Sequence, residues 1–305
     1  MANRFRTVAV LMGGGSTERD ISLLSGEAVL AALREAGYDA RPVVVDRENR
    51  FSLPAGTEAA FLALHGSWGE DGGAQAALEA LGVPYTGSGV EASRVSFDKT
   101  LSRAAFERAG VPVPPGYTIG AGVDEAEPRI ALPLVVKPPR QGSSVGVSIV
   151  RRASEWAPAL ALSRRYDPDV VVERYIAGRE WTVPIVGDGT ALAVIEIRPK
   201  VEWYDWNAKY ADDSGTDYVF PAEDPAAAAL AERTKEIALR AYRAVGCRGV
   251  GRIDLRVSPD GGIFVLENNS LPGMTSHSLL PKAAARAGIP FPALCSRILE
   301  DARCG

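Results

Sequence analysis

Gly251–Gly273 reads GRIDLRVSPDGGIFVLENNSLPG, two alternating apolar runs around a Ser-Pro-Asp-Gly-Gly turn. This pattern predicts a β-hairpin. Its interior nevertheless carries Arg252, Asp254, Glu267 and Asn269. With Pro259–Gly262 as the loop, Ser258 pairs with Ile263, Asp254 lies opposite Glu267, and Arg252 lies opposite Asn269. Side chains alternate with period two, so the four polar residues share one face. Ile253, Leu255, Val257, Phe264 and Leu266 then form the core face, toward which Asn268 also turns. Opposed carboxylates repel unless a cation lies between them. Asp254, Glu267 and Asn269 are hard oxygen donors, suited to Mg²⁺, which takes one or two carboxylates and completes its shell with phosphates. The plainer reading is a solvated face on which Arg252 neutralises the acids.

Such a metal asks for phosphates. KPPRQGSSVGVSIV, Lys137–Val150, supplies a cradle: a lysine at a strand end, a Gly/Ser loop, then a second strand. Backbone N–H groups and hydroxyls of such a loop can wrap phosphate oxygens while the lysine meets their charge. No GK[ST] opens a helix, so this is not a Walker loop. Lys99, at the start of a predicted helix, offers a second cation.

VLMGGGSTERDIS, Val10–Ser22, reads strand, glycines, helix, but the third glycine of a dinucleotide fingerprint is replaced by Glu18. A carboxylate there repels pyrophosphate and suits an ammonium group. It also balances the dipole of the helix it starts. The two histidines, His65 and His277, both lie in glycine- or serine-rich loops without metal-ligand spacing.

Around these motifs the chain alternates strand and helix up to about Val95, which implies an α/β domain with a mostly parallel sheet. SFDKTLSRAAFERAG is a predicted helix capped by Asp98 or Ser96. Short strands PLVVKP, VGVSIV and DVVVERYI follow, then antiparallel EWTVPIVGD and TALAVIEIRP. Pro199–Glu223 is aromatic, polar and aperiodic, the signature of a lid or binding loop. DPAAAALAERTKEIALRAYRAVGC is a helix with Asp224 as cap and Pro225 at its first position. The expected division is residues 1–95, 96–177 and 178–305. At 305 residues and 46% hydrophobic content the chain buries a sizeable core. Its net charge of −4 gives no general case for nucleic acid, and no run approaches a membrane span. Three cysteines without metal spacing suit a reducing cytoplasm.

GGGSTERDISLLSG, HGSWGEDGG, VKPPRQGSSVG, WNAKY, GRIDL and ENNSLPGMTSHS together, in this order and over essentially the whole chain, resemble the D-alanine–D-alanine ligase family of the ATP-grasp superfamily. The resemblance implies a Rossmann-like N-terminal α/β domain followed by two α+β domains that sandwich ATP. It assigns Lys99, Lys137, Ser143 and Ser144 to the phosphates, Glu173, Tyr175 and Ile176 to the adenine hinge, Glu180 to the ribose, and Lys209 to the terminal phosphate. Asp254, Glu267 and Asn269 hold Mg²⁺ or Mn²⁺, two ions in all, and Arg252 meets transition-state charge. Glu18 holds the first substrate's ammonium and His65 its carboxylate; Ser143 and Tyr210 join Glu18 in orienting lid and substrate. Ser278 and Leu279 meet the second substrate's carboxylate, and Gly273 helps form the oxyanion site. The implied chemistry is ATP-dependent joining of two D-alanines through an acyl phosphate, by a homodimer, with room for a monovalent cation. Tyr210 argues against D-lactate as second substrate, since lactate ligases of this kind place phenylalanine there; D-serine ligation, another ATP-grasp ligase activity and a nucleotide sensor are the remaining alternatives. Trp68, Gln141 and Asn268 depart from the family's usual residues, and Trp68 raises the expectation of an altered pocket beside His65.

Overall fold

The computed structural model describes residues 3–187, 189–200 and 216–305. Its first strand, β1 (Thr7–Gly13), is buried and without polar side chains from Val8 on because it is covered on both faces. It pairs in parallel with β2 (Asp39–Val45) and β3 (Ala59–Leu62), in the order β2-β1-β3. The crossover helix α1 (Arg19–Glu35) packs on β1 so closely that a Cβ on Gly26 would lie 2.5 Å from the Met12 Cβ. Gly26→Ala gains helix propensity of about 1 kcal/mol, but the clash is with a rigid Cβ and forces the backbone apart at about 1–3 kcal/mol. The expected outcome is a net loss of up to about 2 kcal/mol, read from the urea midpoint.

After α2 (Gly73–Ala80), a further helix precedes the predicted one. α3 (Val90–Phe97) ends where Asp98 turns extended, and α4 (Lys99–Arg108) begins, with the Asp98 carboxylate accepting from the Thr100 and Leu101 amides. Asp98 is therefore the cap and Ser96 lies inside α3. β4 (Gly116–Ile119), β5 (Leu134–Lys137), β6 (Ser148–Val150) and β7 (Val170–Arg174) form an antiparallel sheet in the order β4-β7-β5-β6. Helix α5 (Trp156–Ser163) covers one face with Trp156, Ala159 and Leu160 against Leu134, Val136, Val170 and Val172. By alternation Val135, Lys137 and Glu173 fall on the opposite face.

The third sheet is antiparallel: β8 (Arg179–Val186), β10 (Ile195–Arg198), β11 (Asp217–Val219), β12 (Val250–Val257) and β13 (Ile263–Asn269), with β9 (Thr190–Ala191) on β8. Helix α6 (Pro225–Ala244), capped by Asp224, lays Ala231, Ala238, Ala241 and Tyr242 on Trp181, Val183, Ile253 and Leu255. The last helices, α7 (Leu279–Arg286) and α8 (Phe291–Glu300), join the core of the first sheet: Leu280, Leu294 and Ile298 cluster with Val8, Val10 and Leu33. Arg303 and Ala60 both bridge to Tyr85. The chain's two ends thus pack together, and this carries the loop before α7 onto α1.

The hairpin corrects part of the sequence reading. Arg252 pairs with Asn269 and Asp254 with Glu267 as expected, but a β-bulge between Asp254 and Leu255 shifts the remainder, so that Val257, not Ser258, pairs with Ile263. The amides of Ser258 and Gly261 close the turn on Gly262 and Ser258 carbonyls. Ile263 and Val265 therefore enter the core in place of Phe264 and Leu266. One extra residue in a strand reverses the alternation beyond it. Leu266 is turned out of the core into the cleft beside Glu267.

Candidate active site

Two adjoining cavities lie where the three sheets meet. The first, about 200 Å³, is lined by Glu18, His65, Glu70, Ser143, Gly273 and Ser278, among others. The second, about 160 Å³, is lined by Lys137, Ser144, Glu173, Tyr175, Ile176, Glu180 and Asp254, among others. Lys99, Gln141, Gly142, Arg252, Glu267 and Leu279 line both. Every candidate site residue among those described lines one cavity or the other, Asn269 included. Lys209 and Tyr210, with the aromatic residues Trp203, Tyr204 and Trp206, lie outside the described residues.

The first cavity is organised around buried Glu18, at the start of α1. Ser143 Oγ donates to Glu18 Oε1 at 2.6 Å, joining the Gly/Ser loop to the N-terminal unit. Gly66 and Gly142 leave room for this carboxylate: a Cβ on either would sit 2.9 or 3.2 Å from Glu18 Oε2. His65 Nε2 lies 3.1 Å from Ser25 Oγ, which accepts from the Met274 amide, so one hydroxyl ties the loop after β3, α1 and the loop before α7 together. His65 Nδ1 lies 3.5 Å from Glu70 Oε1. Burial pushes the Glu70 carboxyl above the usual carboxylate range, and nearby Glu18 adds to this. At the far wall Ser278 Oγ accepts from the Thr275 amide at 3.1 Å, and a Cβ on Gly273 would fall 2.7 Å from that oxygen. Trp68 does not line this cavity; it packs edge-on against Phe51, ring centroids 5.9 Å apart, and beside Gly73.

The second cavity is lined by cations and carboxylates paired with one another. Lys137 Nζ is 2.7 Å from Glu173 Oε2, with both side chains under a tenth exposed. Lys99 Nζ is 3.0 Å from Glu267 Oε2 and donates to the Gln141 carbonyl at 2.7 Å. Arg252 forks onto Asp254 through Nε at 2.8 Å and Nη2 at 2.7 Å, and Thr182 Oγ1 donates to Asp254 Oδ1 at 2.6 Å. Glu180 meets Arg256 at 3.3 Å, and the Arg256 guanidinium also stands 5.7 Å from the Tyr175 ring centre. Ser143 and Ser144 both hold left-handed backbone, φ 51° and 61°. Two successive non-glycine residues there cost on the order of 1 kcal/mol or more each, a strain typical of ligand clamps.

The donor set fits a divalent ion of the hard class. Asp254 and Glu267 are cross-strand partners, Asn269 lies two residues on, and the positions beside both acids are now held by cations. Asn269 Oδ1 accepts from the Leu271 amide at 3.0 Å and keeps a second lone pair. Among the described residues no three His, Cys, Asp or Glu side chains converge as a closed metal cage. Two carboxylates and an amide suit an ion that draws its other ligands from phosphates.

Sequence reasoning missed Thr182, Arg256, Glu70, Arg140 and Arg103. Arg140 donates to Asp98, Asp167 and Asp169, anchoring the Gly/Ser loop to the cap of α4. Thr182 and Asp254 are opposed on β8 and β12, so strand pairing across the sheet was the signal for it. Asn268 is buried as expected, its Nδ2 donating to Ser96 Oγ at 2.8 Å and Cys247 Sγ at 3.1 Å. Burial pushes the Cys247 thiol up.

A parallel α/β unit, two antiparallel sheets facing across a cleft, and paired lysines and acids within it define an ATP-grasp ligase. Residues 7–60 match the profile for the D-ala D-ala ligase N-terminus and residues 107–300 that for the D-ala D-ala ligase C-terminus. The chain is 48% identical to the D-alanine–D-alanine ligase of Anaeromyxobacter sp. strain Fw109-5, over 97% of each chain. It is 44% identical to that of Laribacter hongkongensis, over 100% of this chain and 99% of the other. The crystal structure of the Bacillus anthracis D-alanine–D-alanine ligase superposes with a TM-score of 0.82 at 36% identity, over 97% of both chains. The chain belongs to the D-alanine–D-alanine ligase family, whose members use ATP and a divalent metal ion. No helix among the described residues is long and apolar enough to cross a membrane.

Proposed function

We propose that this chain joins two D-alanine molecules into D-alanyl-D-alanine for peptidoglycan synthesis, converting ATP to ADP and phosphate. The observation that carries this reading is the shared wall: Lys99, Arg252 and Glu267 line both the amine-binding and the nucleotide cavity. A carboxylate bound beside Glu18 and a phosphate bound beside Lys137 therefore meet at the same residues. Glu18 holds the ammonium of the first D-alanine, fixed by the Ser143 hydroxyl, and His65 turns toward its carboxylate. Tyr175 and Ile176 flank the adenine with Glu173, Glu180 takes the ribose, and Lys99, Lys137, Ser143 and Ser144 hold the phosphates with Lys209. One carboxylate oxygen of the first substrate bonds to the γ-phosphorus as the β,γ-bridging P–O bond breaks, leaving an acyl phosphate and ADP. Ser278 and Leu279 seat the second D-alanine. Its amine, having lost a proton, bonds to the acyl carbon, and phosphate leaves with the oxygen of the broken C–O bond. Arg252 and Gly273 face the oxygens on which charge develops.

Asp254, Glu267 and Asn269 would hold Mg²⁺ or Mn²⁺, two ions in all, which when bound would supply neutralisation of the charge on the transferring phosphoryl group. Tyr210 belongs to the Glu18–Ser143 network and favours an ammonium-derived nucleophile. Three units, residues 1–95, 96–177 and 178–305, and a cytoplasmic homodimer complete the reading. The free thiols of Cys247, Cys295 and Cys304 support a reducing compartment. The test of the chemical route is oxygen transfer. D-Alanine labelled with ¹⁸O in its carboxylate should deliver one labelled oxygen to the released phosphate; unlabelled phosphate alongside dipeptide contradicts an acyl phosphate.

A further inference from the structure

Arg103 lines neither cavity, yet it touches the most buried carboxylate of the nucleotide cleft. It lies one turn beyond Lys99 on α4, on the same helix face. Its Nη1 is 3.3 Å from Glu173 Oε1, and its Nη2 is 2.9 Å from Glu107 Oε1. Glu173 Oε2 is held at 2.7 Å by Lys137 Nζ. Glu173 therefore bridges two cations, one on α4 and one on β5, although one suffices to neutralise it. The residue facing it from β4 is Gly116, which brings no charge. In the same cavity Glu180 is engaged by Arg256.

The second cation has a use if Lys137 serves phosphate, the reading on which this argument rests. A lysine drawn toward phosphate leaves its carboxylate behind, and a buried carboxylate stripped of its only cation is strongly disfavoured. We infer that Arg103 is a positioning residue for ATP binding: it keeps Glu173 paired and in place while the Lys137 ammonium turns to the phosphates. It thereby lowers the cost of recruiting Lys137 without touching the nucleotide. An arginine suits the task, because its planar fork spans two carboxylates and stays charged when buried.

The experiment measures binding of ATP with Mg²⁺, and of adenosine, to the wild-type protein, R103M, R103K and the pair K137M and K137M/R103M. Adenosine carries no phosphate and does not draw Lys137 off Glu173. R103M should weaken ATP binding about tenfold or more and leave adenosine within about twofold. R103K should recover most of the ATP affinity, and the R103M effect should largely vanish once Lys137 is absent. Equal weakening of both ligands, the mark of a mere staple between α4 and β7, overturns the inference, as does unchanged ATP binding. If R103M fails to fold, R103K carries the test: ATP affinity between wild type and a tenfold loss, with adenosine unchanged, supports the role, and parallel losses overturn it. A wild-type protein that binds no ATP overturns the nucleotide reading itself, a result seen before any variant is made.

Discussion

Glu267→Gln is expected to lower kcat on the order of 100-fold at a fixed, low-millimolar metal concentration, with partial recovery as metal is raised. The substitution keeps shape and one acceptor oxygen while removing the charge opposite Asp254. Glu267 is also the partner of Lys99 at 3.0 Å, but its side chain is 30% exposed, so losing that ion pair costs the fold little. The melting temperature should therefore stay within a few degrees of the parent. The outcome that contradicts a metal role is a destabilised protein whose activity per folded molecule and metal dependence are unchanged. That result would return the hairpin face to the plainer reading, a set of acids neutralised by Arg252 and Lys99.

Glu18→Gln should act on the other half of the site. Glu18 is 8% exposed, accepts from Ser143 at 2.6 Å, and is framed by two glycines that leave no room for a bulkier neighbour. Its charge is the one the first substrate's ammonium must meet. Removing one partner of a buried charge pair costs about 2–4 kcal/mol, roughly a 30- to 700-fold loss in kcat/KM for D-alanine. ATP binding in the absence of D-alanine should stay within about twofold, because Glu18 does not line the nucleotide cavity. A variant that loses ATP and D-alanine affinity in equal measure would instead make Glu18 a structural link between the Gly/Ser loop and α1.

The sequence made the polar hairpin face readable because strand alternation is short-range: Arg252, Asp254, Glu267 and Asn269 fall together at any register that pairs 254 with 267. The bulge escaped notice because Val265 and Leu266 are both apolar, so alternation has nothing to distinguish which one enters the core. Asn268 was visible as an oddity, and its burial followed from register, but its partners Ser96 and Cys247 are distant in sequence. The same holds for Glu18 and Ser143, 125 residues apart, whose hydrogen bond needs the folded chain. Their grouping was readable only through the family resemblance. Helical spacing put Arg103 on the face of Lys99, yet its meaning depended on where β7 places Glu173. Helical spacing gives α7 and α8 an apolar face each but not the surface that covers it; their packing on the first sheet is a long-range consequence of those faces seeking cover.

The most direct measurement is phosphate release by the purified protein with ATP and Mg²⁺, across D-alanine, D-serine, D-lactate and L-alanine, alone and in pairs with D-alanine. D-Alanine alone should support release, with D-alanyl-D-alanine formed in equal amount. Paired D-serine or D-lactate should add little. Turnover that prefers D-lactate or D-serine as second substrate would contradict the specificity assigned to this site, and ATP binding without turnover on any of them would contradict its assignment as a ligase.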